Sequence, residues 1–323
     1  MPSIFATSSY AFHTRDQMRQ LADWGFNTVV SCAEGSGRED EVALGHEYGM
    51  QMLARWPLWG QLGCLGEDMA FRNHLGKSNA IGCSRVLGPS VWNMESERRA
   101  LDSLPAVAKE GFDGVVIHIM VGDRPMPTGW HLSPYHNYKD LYWCFDEEAK
   151  QQYGTLRRNQ PMPPKPIPIH DLDFYRWYQS GWLHRLDTFT ASALGYFGQV
   201  GTWCIPMDWF ECETMADGTA DSTPGLSKWR QNVIDAGADP LIVVAHMFGM
   251  GSAWEPKARK TMQEQNAAGW RSIVGAECNP GVAARNLREN GVQARALGFT
   301  GLLCGDEQLF VEADAVAPIS EWW

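Results

Sequence analysis

The chain has 323 residues, 44% hydrophobic and 20% charged, a globular composition that excludes a disordered or fibrous protein. Its net charge of −11 and pI near 5.3 exclude nucleic acid as a partner, because binding a polyanion needs a basic surface that displaces counterions. No apolar run approaches the ~20 residues that span a bilayer, and the start, Met1-Pro2-Ser3-Ile4-Phe5, lacks the basic and long apolar regions of a secretion signal, so no membrane contact and a cytoplasmic location are expected.

The first unit is the clearest. Ile4 to Ser8 is a short apolar run, followed by Thr14-Arg15-Asp16-Gln17, which has the form of a capping box. Met18, Leu21 and Ala22 follow at helical spacing, Gly25 offers a C-cap, and Asn27 to Cys32 is a β-branched strand. This is one βαβ unit, whose natural product is a parallel sheet.

The same grammar recurs along the chain. A helix from Glu39 to Tyr48 precedes a strand from Gln51 to Trp56, and a helix from Ser96 to Glu110 precedes Gly114 to Val121. Leu172 to Leu194 leads into Gln199 to Pro206, and Leu226 to Ala236 into Pro240 to Phe248. Lys257 to Ala268 leads into Ser272 to Glu277, and Val282 to Leu297 into Gly298 to Cys304. The pattern predicts an α/β fold, a (β/α)8 TIM barrel spanning 1–323 as one domain, a size that such barrels commonly reach with insertions. Asn79 to Gly88 also reads as extended, a ninth candidate for eight places. A doubly wound open sheet competes, but no Gly-rich phosphate loop follows the first strand.

The stretch 122–171 exceeds an ordinary connection of about 2–6 residues and reads as an insertion over the C-terminal face. It contains Trp130, Tyr135, Tyr138, Tyr142 and Trp143, a short helix from Asp146 to Tyr153, and a proline-dense run from Gln160 to Pro168. Such a segment forms a wall or lid of a cleft, or packs on a second subunit of a homo-oligomer.

Eight cysteines occur with no CxxC pair, and Cys32, Cys83, Cys204, Cys278 and Cys304 lie in or beside strand-like runs, so buried thiols are expected rather than disulfides or a zinc knuckle.

Carboxylates gather where strands end: Glu34, Asp123, Asp208 with Glu211, Glu277, and Asp306 with Glu307. A barrel brings such positions around one mouth, and glycoside hydrolysis needs one carboxyl to protonate the leaving oxygen and another to attack or to activate water. Glu277 leads, since Gly275-Ala276-Glu277 sets an acid beside small residues at the end of an apolar strand. Asp123 could equally open a turn, and Asp306 and Glu307 could cap the last helix or bind sugar hydroxyls. His118 and His246 lie within strands, where a satisfied core histidine is the commoner outcome for either alone, whereas two at one interior favour substrate or metal contact. Among fifteen tryptophans, Trp203 and Trp209 bracket the Asp208 loop, while Trp56, Trp59 and Trp254 end or follow other strands. Any single one is more often packing, but several at one rim suit sugar stacking or cation–π binding of an amine.

Gly25-Phe26-Asn27-Thr28-Val29-Val30, Tyr142-Trp143-Cys144-Phe145-Asp146-Glu147-Glu148-Ala149, Val274-Gly275-Ala276-Glu277 and Ala296 to Leu303 resemble segments of the retaining glycoside hydrolases of the β-galactosidase and cellulase superfamily, clan A. The resemblance implies Glu277 as nucleophile and an acid/base at the exit of the fourth strand, where those enzymes carry Asn-Glu and this chain carries Gly122-Asp123. The leading expectation is a glycosidase acting on a neutral or cationic oligosaccharide without a cofactor, with Glu277 paired to Asp123, Asp208 or Glu211. Substrate contacts are expected from Glu34, Trp56, His118, Trp130, Trp143, Trp203, Trp209, His246, Trp254, Asp306 and Glu307. Two alternatives stand beside it: a sugar isomerase or epimerase holding a divalent metal on Glu34, Asp208, His246 and Glu277, and a carbohydrate-binding barrel without catalysis.

Overall fold

The computed structural model describes residues 3–31, 33, 36–56, 72, 76, 92–117, 146–162, 172–204, 242–247, 271–276 and 283–323. Its strands are β1 (Ile4–Ser9), β2 (Thr28–Ser31), β3 (Gln51–Trp56), β4 (Gly114–Ile117), β5 (Thr202–Cys204), β6 (Ile242–Met247), β7 (Arg271–Ala276) and β8 (Gly301–Gly305). Each pairs in parallel with the next, and β8 pairs with β1 through Ile4↔Gly301 to Ser8↔Gly305, so the curled sheet closes into a barrel. β3 pairs directly with β4, so no strand enters the ring between them; the stretch from Asn79 to Gly88 is outside the described residues.

The described helices are α1 (Arg15–Trp24), α2 (Arg38–Glu47), α3 (Met94–Lys109), α4 (Glu147–Leu156), α5 (Leu172–Phe197), α6 (Ala283–Leu297) and α7 (Glu307–Val311). α1 starts as its sequence dictates, with Thr14 Oγ1 accepting from Gln17 N and the Gln17 side chain returning to the Thr14 backbone. It stops at Gly25, whose N–H donates to the Ala22 carbonyl at 2.9 Å and whose φ of +94° turns the following N–H, of Phe26, onto the Leu21 carbonyl at 3.0 Å. The same device revises the expected last strand: Gly298 has φ +92°, a C-cap conformation that ends α6 and delays β8 until Gly301. α5 runs past the expected Leu194 to Phe197. The expected helices from Leu226 to Ala236 and from Lys257 to Ala268 fall outside the described residues.

Period-two alternation divides the apolar residues into two cores. Val29, Met52, Ala54, Trp56, Val115, Ile117 and Leu302 pack outward against Met18 and Leu21 of α1, Leu104 and Val107 of α3 and Phe189 of α5. Ile4, Ala6, Val30, Leu53, Val116, Trp203, Ile273 and Leu303 fill the barrel. Val115 and Ile117 thus lie under the helices, as their spacing in the sequence predicts. Cys204 and Cys304 are buried, and burial pushes the Cys204 thiol up to about 12, with the Thr190 hydroxyl at 3.7 Å only partly opposing it.

The described residues 146–162 dock on the α3–α5 helix layer. Asp146 caps α4 by accepting from Ala149 N at 2.9 Å, and Tyr153 meets the edge of Trp177 at 5.1 Å. Trp177 in turn stacks on Trp92 at 4.9 Å, and Asn93 Nδ2 donates to Glu148 Oε1 at 3.1 Å. α4 is therefore held by the α3–α5 layer, outside the ring of strands.

Candidate functional site

A closed parallel barrel gathers the C-terminal ends of all its strands on one rim, where such folds build their sites. The described rim includes the connection after β1, the ends of β2 and β3, and the turn from β8 into α7. Two polar arrangements occupy it.

The first is buried. His13 follows β1, Glu41 projects from α2, Ser31 ends β2, and Asp306 follows β8. His13 Nδ1 lies 2.7 Å from Glu41 Oε1 and His13 Nε2 lies 2.8 Å from Asp306 Oδ2. The His13 backbone N–H also donates to Glu41 Oε1 at 3.1 Å, and Ser31 Oγ donates to Glu41 Oε2 at 2.6 Å. Burial opposes charge on the imidazole, but the hydrogen bonds and charges of Asp306 and Glu41 prevail and raise its pKa to about 9. Burial likewise opposes ionisation of Glu41, and bonds from His13 and Ser31 outweigh it, holding that carboxyl below its ordinary range. The result is an imidazolium clamped between two carboxylates, tying β1, β2, α2 and β8 together behind the rim.

The second arrangement is open. Arg55, the penultimate residue of β3, pairs in register with Val116, which faces the barrel interior. Its Nη1 donates to the Tyr10 hydroxyl at 2.7 Å, and its guanidinium lies 5.7 Å from the Tyr10 ring centre. Tyr10 is 63% exposed and Phe12 is 38% exposed, so the connection after β1 presents two aromatic rings at the rim.

Three expected contact residues are placed elsewhere than a substrate surface. Trp56 is fully buried on the outer face of β3, against Phe189 at 5.0 Å, with its indole N–H on Ser103 Oγ at 3.0 Å. Its parity follows from Met52 and Ala54, which share its face. Trp203 is fully buried inside the barrel, with its N–H on the Val200 carbonyl at 3.1 Å. Asp306 is fully buried and bonded to His13 rather than turned to solvent, and it makes no side-chain cap to α7. Glu307 is exposed in the first turn of that helix.

Glu34, Trp59, His118, Asp123, Trp130, Trp143, Asp208, Trp209, Glu211, Trp254 and Glu277 fall outside the described residues. The backbone of His246 lies in β6, paired with Gly275 of β7. Among the described residues no group of three His, Cys, Asp or Glu side chains could hold a metal ion. No helix among the described residues is long and apolar enough to cross a membrane.

Sequence reading missed Tyr10, Phe12, His13, Glu41 and Arg55. Arg55 had a usable signal: Leu53 is apolar on the inner face of β3, so Arg55 shares that face two residues on, while Trp56 takes the other. The His13 clamp had none, since its partners are 28 and 293 residues away.

No family model matches this sequence, and no curated protein matches it. Solved structures do resemble the fold. An old yellow enzyme homologue from Zymomonas mobilis aligns over 99% of this chain and 92% of its own, with TM-score 0.50 and 11% identity. A GH31 dextranase from Flavobacterium johnsoniae, complexed with glucose, aligns over 94% of this chain and 36% of its own, with TM-score 0.50 and 10% identity. A sugar phosphate isomerase/epimerase from Parabacteroides distasonis aligns over 95% and 91%, with TM-score 0.47 and 10% identity. At such identities the likeness is one of fold, shared with TIM-barrel proteins of differing activities.

Proposed function

We propose that the chain is a glycoside hydrolase built as a complete single-domain (β/α)8 barrel, with the 122–171 insertion walling its cleft. Glu277 acts as nucleophile or base, and Asp123, Asp208 or Glu211 acts as its carboxyl partner. The observation that carries this reading is the course of β7, which ends at Ala276 inside a closed parallel ring. Glu277 is the next residue in the chain, and residues that follow barrel strands are the ones that supply catalysis. One carboxyl gives a proton to the glycosidic oxygen as the bond to the anomeric carbon breaks. The other attacks that carbon or takes a proton from the water that does, with a separation of ~5–5.5 Å giving retention and ~6.5–9.5 Å inversion.

The test is Glu277→Gln, which keeps size and hydrogen bonding but loses the carboxylate. Release of reducing ends from a panel of oligosaccharides should fall by at least about a thousandfold, within the range expected for an acid–base or nucleophilic group, while thermal unfolding stays as in the parent. Turnover near the parent's would remove Glu277 from the chemistry.

A further inference from the structure

The connection after β1 is pinned at both ends and exposed between them. At its start, Ser9 Oγ donates to the Ala11 carbonyl at 3.0 Å and accepts from the Ala11 N–H at 3.2 Å, closing a tight turn around Tyr10. At its end, His13 is buried, with its backbone N–H on Glu41 and its ring between Glu41 and Asp306. A five-residue span held this way has little freedom left to lose when a ligand binds. Yet it leaves Tyr10 63% exposed.

The Tyr10 hydroxyl is held from inside the barrel. Arg55 is on the inner face of β3, one position short of its C-terminal end, and its guanidinium reaches the Tyr10 hydroxyl at 2.7 Å. Tyr10 is thereby tied by its hydroxyl to the C-terminal end of β3. A flat apolar ring beside fixed polar groups matches a sugar ring, which has C–H faces and a rim of hydroxyls. Of the tryptophans expected to stack, the two among the described residues, Trp56 and Trp203, are fully buried in the two cores.

We propose that Tyr10 and Arg55 form a sugar subsite at the barrel mouth, in which the exposed ring stacks on a pyranose and the guanidinium orients both the phenol and the sugar's hydroxyl or carboxylate oxygens. This rests on the carbohydrate ligand of the reading above, and it specifies where that ligand is gripped.

The experiment uses the full chain labelled with 3-fluorotyrosine, the Tyr10 signal being the one lost in Tyr10→Phe. Cello-, manno-, xylo-, galacto- and galacturono-tetraose are titrated in while fluorine NMR, binding and product release are followed. The Tyr10 signal should shift with at least one sugar, and Tyr10→Ala and Arg55→Met should each raise that sugar's Kd about tenfold, as expected for loss of one aromatic or ionic anchor. Arg55→Lys keeps the charge but not the planar fork, and should recover only part of the loss. Tyr196→Ala, which removes a 53% exposed ring on α5, should leave the Kd as it was. A sugar that binds without moving the Tyr10 signal and with unchanged Kd in Tyr10→Ala overturns the subsite. Product release in that case leaves the hydrolase reading standing. A Tyr10 shift without product release from any bound sugar does the reverse, and no binding across the panel overturns both.

Discussion

Burial alone would strip the proton from His13, and two carboxylates keep it there, so the clamp makes stability depend on pH in a direction that can be worked out. The folded pKa of His13 is about 9 against an ordinary 6.5. Its contribution is therefore fully present below 6.5 and is lost as pH rises through 9. Glu41 is held below its ordinary 4.5, so its contribution is present above 4.5 and fades as pH falls through the folded value. Both act fully between those ordinary values. The His13 shift corresponds to something on the order of 3 kcal/mol. Removing the imidazolium also leaves two buried carboxylates facing each other without a cation, which is costly. His13→Gln should accordingly lower unfolding free energy in urea by about 3 kcal/mol at pH 6, with the gap narrowing by pH 9.5 as the parent loses its own proton. A gap that stays constant across that range would show that His13 carries no charge in the fold.

At the scale of elements, what could be read in the sequence is what local chemistry decides. The Thr14–Gln17 capping box, the Gly25 stop and the β-branched runs of β2 and β4 depend on residues a few positions apart, and these elements stand where their signals lie. Gly298 was misread because a glycine at a strand start and a glycine at a helix end look alike in sequence. Its positive φ separates them only in three dimensions. Trp56 and Trp203 are buried for a related reason: a period-two strand fixes which residues share a face, but which face lies under helices and which lines a filled barrel depends on residues far along the chain. α4 shows how such distant contacts decide placement. Its anchor is Trp177 of α5, between Tyr153 and Trp92, and Arg185 of the same helix donates to the Asn93 carbonyl and pairs with Glu97 of α3 at 3.0 Å. Trp177→Ala should cost about 3–5 kcal/mol by emptying that space. It should also deprotect the amides of α4 in hydrogen exchange before those of β1 to β3. Equal deprotection of α4 and the barrel strands would mean that α4 does not rely on this anchor.

Barrel closure ties the two ends of the described fold to each other, which predicts that they unfold together. β8 meets β1 so closely that a Cβ added at Gly301 would fall 1.8 Å from the Ile4 carbonyl oxygen. Beyond α7 the chain returns across the same seam. Val316, Ile319 and Trp322 are buried, Trp323 meets Phe5 of β1 edge-on at 5.2 Å, and Trp322 donates from its indole to the Ala317 carbonyl at 3.2 Å. The ring of Trp322 presses on α6 at Gly291, where an added Cβ would come within 1.9 Å of it. A contact set that joins β1, α6 and the final turns cannot loosen without opening the seam, so its loss should be felt by the whole barrel rather than by the tail. Trp322→Ala should lower unfolding free energy by about 3–5 kcal/mol, the usual cost of truncating a buried aromatic. It should do so in one transition with an unchanged denaturant slope, because the same surface is still exposed in one step. The decisive comparison is between probes: tryptophan fluorescence reports the two cores, and far-ultraviolet circular dichroism reports the helices. Coincident curves for parent and variant would support a single cooperative domain, whereas an early fluorescence phase in the variant, with the helices still folded, would show that the C-terminal turns are a separate unit resting on the barrel.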